Sequence, residues 1–323
     1  MPWCEQGGIG KRERMIYTVT LNPALDKTLL ATGLEPETIN RARVLRLDCG
    51  GKGINVSRAL RNLGLPSVAT GWIGGATGEH LARGLRQEGI QTDLIPIAGE
   101  TRTNLTIHDQ RRGVLVKLNE AGPTVSDEDV VGFLQHVQER AQPGDIWVLS
   151  GNLPPGAPDD LYATLIGIVQ SAGGHAWLDA SGAPLRLGCA AAPKLAKPNL
   201  SEAESVLGRS LLTPDHWGEA LRAFLDMGIA CVALSLGKDG AVIADGRAAH
   251  WARPPTVQAW SNIGAGDSLL AGLLWSATQG MPLAEAIRWA VAAGTAAVLE
   301  EGTGVCTRAR TEALYAQVAV APL

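Results

Sequence analysis

Short apolar runs and segments of helical period take turns along this chain, and that alternation restricts the folds open to it. Runs of strand length occur at Ile16–Leu21, Ser67–Ile73, Asp145–Leu149, Ala176–Leu178 and Cys231–Leu236. Between several of them lie helical patterns. In Asn55–Gly64, the side chains of Val56, Ala59, Leu60 and Leu63 share one face before a glycine stop. Leu81 and Leu85 repeat the spacing ahead of Gly89. Such alternation predicts an α/β fold whose mostly parallel sheet is covered by helices on both faces. Thr28–Asp48 and Ile90–Lys117 break the pattern, being strand-like and of mixed polarity with no helix between their strands. They predict a small sheet standing off the main domain as a lid, with strands from about 28–48 and 90–117. The last third reads as helices over Ala265–Gln279, Leu283–Glu300 and Arg308–Val318. One domain over 15–323 is expected, preceded by a disordered extension at residues 1–14. Met15 opens the first strand pattern and is a candidate natural start.

Composition narrows the function. At 323 residues and 46% hydrophobic content, the chain can bury a sizeable core and does not read as disordered. A net charge of -4 attracts neither nucleic acid nor an anionic membrane, so an anionic substrate needs local cations. The five cysteines are scattered without a CxxC pair, which argues against a disulfide framework or zinc site and fits a reducing cytoplasm. Cys49, beside a glycine-rich run, is read as a buried inert thiol. The six histidines are dispersed, with no HExxH and no metal cage made of protein ligands alone. The N-terminus lacks the apolar stretch of a secretory signal, and no later run is long enough to span a bilayer.

Five local motifs carry candidate chemistry. Asn262-Ile263-Gly264-Ala265-Gly266-Asp267-Ser268 precedes an apolar helix. Glycines there leave the first helical N–H groups bare for a phosphate, and an aspartate in the same turn can accept a hydroxyl proton. The same residues also read as a plain helix cap. Cys49-Gly50-Gly51-Lys52-Gly53-Ile54-Asn55 again sits ahead of a helix, with Lys52 a point charge and Asn55 a two-sided polar group. It is not a Walker A loop, and a simple glycine turn is the other reading. Thr101-Arg102-Thr103-Asn104 opens a lid strand, with Lys117 on a later one, and an arginine fork suits phosphate oxygens. Lys197-Pro198-Asn199-Leu200-Ser201-Glu202 joins a strand to a helix; its asparagine and glutamate suit either a metal–water shell around nucleotide phosphates or a helix cap. Ser235-Leu236-Gly237-Lys238-Asp239-Gly240 is a tight turn after a buried strand, where ligands of parallel sheets gather.

These motifs, taken in order with Thr20–Asp26 and Ser150–Gly156, resemble the PfkB (ribokinase-like) family of carbohydrate kinases over about residues 15–320. The likeness is nearest to the branch holding 1-phosphofructokinases, tagatose-6-phosphate kinases and minor 6-phosphofructokinases. The resemblance implies a three-layer α/β/α domain with a β-sheet lid, ATP and Mg²⁺, a phosphorylated ketohexose as acceptor, and a homodimer through the lid. It implies that Asp267 is the catalytic base and that the N–H groups of Gly264, Ala265 and Gly266 form an anion hole. Asp26 and Asn55 would hold sugar hydroxyls, with Gly51 and Gly53 allowing close approach. Lys52 and Arg102 would neutralise the sugar's own phosphate, Lys117 being a weaker candidate. Lys197, Asn199, Glu202, Ser235, Gly237 and Gly240 would line the nucleotide site. Two positions depart from the branch: Asn152 stands where serine is usual near the substrate, and Asn262 where threonine is usual.

The acceptor divides by which end of the sugar already carries phosphate. Lys52 resembles the 1-phosphofructokinase and tagatose-6-phosphate kinase groups, whereas Gly74–Leu81 and Gly302–Cys306 look like the minor 6-phosphofructokinases. Conversion of fructose 1-phosphate to the 1,6-bisphosphate is favoured, with tagatose 6-phosphate and fructose 6-phosphate as alternatives. A non-catalytic sugar-phosphate sensor is the reading from another class, and the intact Asp267 turn weighs against it. A nicotinamide oxidoreductase would require GxGxxG after the first strand, where the chain has Leu21-Asn22-Pro23.

Overall fold

A computed structural model describes residues 14–300 and 304–323, so the extension expected at 1–14 lies, Arg14 apart, outside the described residues. The first half runs β1 (Ile16–Val19), β2 (Ala24–Ala31), β3 (Ala42–Gly50), α1 (Lys52–Asn62), β4 (Val68–Ile73), α2 (Gly75–Gln87), β5 (Gln91–Pro96), β6 (Arg102–Asp109), β7 (Val114–Asn119) and α3 (Asp127–Arg140). Next come β8 (Ile146–Ser150), α4 (Leu161–Ser171), β9 (His175–Asp179), α5 (Gly182–Ala190), β10 (Leu195–Ala196), α6 (Leu200–Leu207), α7 (Pro214–Asp226) and β11 (Cys231–Ser235). The chain closes with β12 (Ala241–Ala244), β13 (Ala249–Arg253), α8 (Ala265–Thr278), α9 (Leu283–Val298), α10 (Arg308–Tyr315) and β14 (Ala319–Pro322).

Ten strands form the main sheet in the order β14-β13-β12-β11-β10-β9-β8-β1-β4-β5. Every neighbouring pair from β5 to β11 is parallel, and β12, β13 and β14 add an antiparallel edge. The period-two alternation of strand side chains splits the core into two layers. On β8, Trp147 and Leu149 join Phe133, Tyr162 and Phe224 on one face, while Ile146 and Val148 join Leu60, Leu270 and Ile287 on the other. That double burial is why the central strands read as almost wholly apolar. β1 lies between β4 and β8, so the strand order reverses beside it, and the carboxyl ends of the strands there border a crevice suited to ligands.

Four further strands form a separate sheet, ordered β3-β2-β6-β7. The lid therefore exists, but its bounds differ from those expected. Its first strand begins at Ala24 rather than 28, and the segment expected over 90–117 divides in two. β5 pairs in parallel with β4, from Val68 opposite Gln91 to Ile73 opposite Pro96, and belongs to the main sheet. Leu94 packs there against the cluster of Ile54, Leu81 and Leu85. The mixed polarity of 91–96 is that of an edge strand with only one neighbour, a pattern that a lid strand shares.

Cys49, Cys189, Cys231 and Cys306 are buried free thiols. Burial first, then Glu88, pushes the Cys49 thiol up to about 11, which leaves it inert at neutral pH. Among the described residues no helix is long and apolar enough to cross a membrane.

Candidate active site

The glycine-rich turn before α8 builds one corner of the candidate site. Gly264 is the residue before the helix and takes φ 77°, a left-handed conformation that glycine adopts without steric cost. A Cβ there would come within 2.8 Å of the Gly304 carbonyl oxygen. The Ser268 N–H donates to the Gly264 carbonyl at 2.8 Å as the first bond of the helix. The N–H groups preceding it, including those of Ala265 and Gly266, have no partner within the helix and carry its positive end. Asp267 is buried in this first turn, and its Oδ2 accepts from Asn55 Nδ2 at 2.8 Å. Burial, followed by the nearby Asp179, raises its carboxyl to about 6, while Lys52, Asn55 and Lys197 pull in the opposite direction. A carboxylate tuned to that range can both accept and release a proton near neutrality.

The second glycine run forms the start of α1. Gly51 is the residue before the helix, Lys52 opens it, and Gly53 lies where a Cβ would meet the Val19 carbonyl oxygen at 2.6 Å. The Ile54 N–H donates to Thr20 Oγ1 at 3.0 Å, which ties the turn to the end of β1. Lys52 Nζ stands 2.9 Å from Asp179 Oδ1 and 3.9 Å from Glu202 Oε1. The buried Lys197 places its Nζ 3.2 Å from the other oxygen of Asp179. Burial opposes ionisation of Asp179, yet Lys197 and Lys52 more than reverse it and hold the carboxyl below its usual range. For Lys52, burial likewise opposes the charge, and Asp179, Glu202 and Asp267 outweigh it, holding the ammonium above its usual range.

Asp179 is absent from the residues expected from sequence. No motif surrounds it; its one signal is that it ends β9, at the carboxyl edge of a parallel strand.

The lid contributes a second polar group. Asp26 on β2 sits opposite Asn104 on β6, and Asn104 Nδ2 donates to Asp26 Oδ1 at 2.9 Å. A Cβ on Gly50 would come within 2.2 Å of Asp26 Oδ2, so the space occupied by that carboxylate depends on the glycine. Burial is the main cause raising the Asp26 carboxyl above its ordinary value. Arg102 donates through Nη2 to the Asn22 carbonyl at 3.0 Å and through Nη1 to the Glu120 carbonyl at 3.1 Å. Lys117 is exposed on β7 opposite Thr106, further along the lid than Asp26 and Asn104. Asn152 accepts from Ser181 Oγ at 3.0 Å, just beyond Asp179 in the chain. Asn104, which closes the Thr101–Asn104 motif but has no role expected from sequence, lies two residues after Arg102 on one strand, which puts both on the same face.

Along the other side, Asn199 and Glu202 form a reciprocal cap on α6. Asn199 Oδ1 accepts from the Glu202 N–H at 2.9 Å, and Glu202 Oε2 accepts from the Asn199 N–H at 2.8 Å. The cap is real, and it leaves Glu202 Oε1 facing Lys52. Ser235, at the end of β11, bridges Asn199 in parallel and donates its N–H to the Pro198 carbonyl at 3.0 Å. Gly237 and Gly240 both take positive φ in the turn that follows. Among the described residues no three His, Cys, Asp or Glu side chains are grouped to hold a metal ion.

The structure thus brings Asp267, Asn55, Lys52, Lys197 and Glu202 around Asp179. A buried carboxyl of raised pKa, two ammonium groups and a helix N-terminus converge, a set able to receive an anionic group and accept a proton beside it. Residues 19–310 match the family described as pfkB family carbohydrate kinase. The 1-phosphofructokinase of Rhodobacter capsulatus is 36% identical over 309 residues, covering 95% of this chain and 98% of that protein. The ATP-dependent 6-phosphofructokinase isozyme 2 of Escherichia coli is 34% identical over 303 residues, covering 93% and 98% respectively. Phosphofructokinase-2 from Escherichia coli in complex with potassium superposes with a TM-score of 0.90 at 33% identity, covering 94% of this chain and 99% of that one. A tetrameric inhibited form of phosphofructokinase-2 from the same organism gives 0.88 at 32% identity, with the same coverage.

A buried carboxyl raised to about 6 is penalised by the fold when ionised. Its contribution to stability is full at low pH and lost as pH rises through about 6. Asp267→Asn is expected to abolish function yet stabilise the fold above pH 6, on the order of 2 kcal/mol at pH 7, with the gain fading towards pH ~4. Thermal unfolding of both proteins across this range checks it; a melting temperature lowered by the substitution at pH 7 would contradict the assignment.

Proposed function

The chain belongs to the PfkB family of carbohydrate kinases, and on that premise we propose that it transfers the γ-phosphoryl group of ATP to fructose 1-phosphate. The observation that carries the proposal is the corner where Asp267, bonded to Asn55, meets the start of α8 and the Asp179-bound lysines. The acceptor's C6 oxygen forms a bond to the γ-phosphorus as the bond from that phosphorus to the bridging oxygen breaks. The electron pair leaves on ADP, and the hydroxyl proton goes to Asp267. The N–H groups of Gly264, Ala265 and Gly266 receive the charge on the moving group, and the work is mostly positioning and charge stabilisation.

Asp26 and Asn55 hold sugar hydroxyls in this proposal, Gly51 and Gly53 let the sugar approach the backbone, and Arg102 takes the phosphate already on the sugar. Asn152 stands beside that acceptor. Lys197, Asn199 and the turn from Ser235 through Gly237 to Gly240 line the nucleotide. We assign Mg²⁺ to the nucleotide phosphates, where Glu202 Oε1 offers the hard oxygen that this ion prefers. The ion would neutralise phosphate charge. Fructose 1-phosphate is favoured by Lys52 and by the identity to the Rhodobacter capsulatus enzyme; the Escherichia coli relative keeps fructose 6-phosphate as the second choice.

Homodimerisation through the lid belongs to the same proposal. The lid face turned away from Asp26 and Asn104 carries Val44, Leu47, Val114 and Leu118 at 50%, 45%, 46% and 53% exposure. An apolar sheet face of this kind calls for a partner, and a second copy supplies a matching one. Buried free thiols fit a reducing compartment, and we place the protein in the cytoplasm.

ADP release with Mg-ATP and each of fructose 1-phosphate, tagatose 6-phosphate, fructose 6-phosphate and fructose tests the activity. The highest kcat/KM is expected with fructose 1-phosphate and none with fructose; turnover confined to fructose, or silence with all four, overturns the reading. Leu47→Asp is expected to convert a dimer to a monomer in light scattering at micromolar concentration, and a dimer that persists would remove the lid as the interface.

A further inference from the structure

Two cations were expected to share the phosphate on the sugar, yet the fold gives them separate surroundings. Arg102 is held on the lid by the carbonyls of Asn22 and Glu120, and its charged neighbours are Asp26 and Glu120. Lys52 is held at the end of β9 by Asp179, with Glu202 at 3.9 Å and Asp267 among its charged neighbours. The two side chains have no partner in common. Lys197, the second lysine on Asp179, has its Nζ 3.4 Å from the place a Cβ on Gly266 would occupy, against the first turn of α8.

We infer that Lys52 serves the phosphoryl group in transit and not the phosphate resident on the sugar, with Asp179 as the positioning residue that holds Lys52 and Lys197 to either side of it. The nucleotide half of this inference rests on membership of the kinase family, and only the acceptor half rests on the proposed function.

Charge and chemistry agree with the assignment. Two ammonium groups, Lys52 and Lys197, stand against three carboxylates, Asp179, Glu202 and Asp267. The proton that leaves the acceptor hydroxyl neutralises one of those carboxylates as the phosphoryl group arrives, so the cluster loses a negative charge at the moment an anion enters it. An ammonium is a point charge with three donors, and Lys52, its side chain 35% exposed, keeps donors for a ligand while bonded to Asp179. The guanidinium of Arg102 has a planar fork better matched to a phosphate that stays in place.

Calorimetric binding of Mg-ATP and Mg-ADP to the wild type, Lys52→Met, Lys52→Arg and Arg102→Ala tests the inference, together with kcat and sugar-phosphate KM for each. Lys52→Met is expected to weaken Mg-ATP by about tenfold or more while Mg-ADP stays within about twofold, the loss of a charged hydrogen bond to the γ-phosphate. It is expected to lower kcat at unchanged sugar-phosphate KM, and Lys52→Arg to restore part of the ATP preference. Arg102→Ala is expected to do the converse, raising that KM and sparing both nucleotides. Equal weakening of ATP and ADP by Lys52→Met, or an unchanged ATP preference with a raised sugar-phosphate KM, overturns the inference. Nucleotide binding needs no acceptor, so a wrong acceptor shows separately, as a wild type that discriminates ATP from ADP but does not turn over fructose 1-phosphate.

Discussion

A carboxylate buried between two lysines organises this molecule. Asp179 ends a central strand with both oxygens engaged, one by Lys52 at 2.9 Å and the other by Lys197 at 3.2 Å. Taking such charges out of water is costly, and the arrangement holds only where geometry lets each find its partner. The three residues come from β9, the start of α1 and the segment after β10, so one ionic contact joins three parts of the fold at the carboxyl edge of the sheet. Removing either lysine leaves a buried carboxylate short of compensation, and removing Asp179 leaves two ammonium groups facing each other. The raised carboxyl of Asp267 follows partly from the same source, since Asp179 is the second cause after burial.

The rest of the structure divides between a ten-stranded main sheet and a separate four-stranded lid sheet. Seven parallel strands, the central ones apolar on both faces, fix the ends of β1, β8, β9, β10 and β11 relative to one another. The glycine turns of α1 and α8 bring two helix N-termini to that edge, giving positive ends suited to an anion. The lid supplies Asp26, Asn104 and Arg102 from a sheet with its own hydrogen bonding, so that its polar face can meet a ligand as a unit. In the proposed reaction, a sheet closed over the site would keep water from the phosphoryl group.

Much of this was legible in the residues because several signals were local. The apolar run Asp145–Leu149 reappears as the wholly buried β8, and the spacing of Val56, Ala59, Leu60 and Leu63 reappears as the buried face of α1. Asp267 and Asn55 carry glycine-rich motifs, and the structure bonds them across 212 positions of sequence. Asp179 was not legible, because nothing near it in the chain marks a carboxylate whose partners lie at positions 52 and 197. β5 was misplaced for a related reason: an edge strand and a lid strand share mixed polarity, and only the pairing with β4 separates them. Asn199 and Glu202 showed a different ambiguity, since helix cap and ligand site were read as alternatives. The cap uses one carboxylate oxygen of Glu202 and leaves the other towards Lys52, so the two roles are compatible.

The central claim is that the charge cluster and burial tune Asp267 to act as the base. The pH dependence of kcat/KM with a phosphorylated ketohexose reads that property directly, because its acid limb reports a group of the free enzyme that must be ionised. Activity should fall on the acid side with a midpoint near 6, the value to which burial and Asp179 raise the Asp267 carboxyl. A limb at pH ~4, the ordinary carboxylate range, would contradict the account.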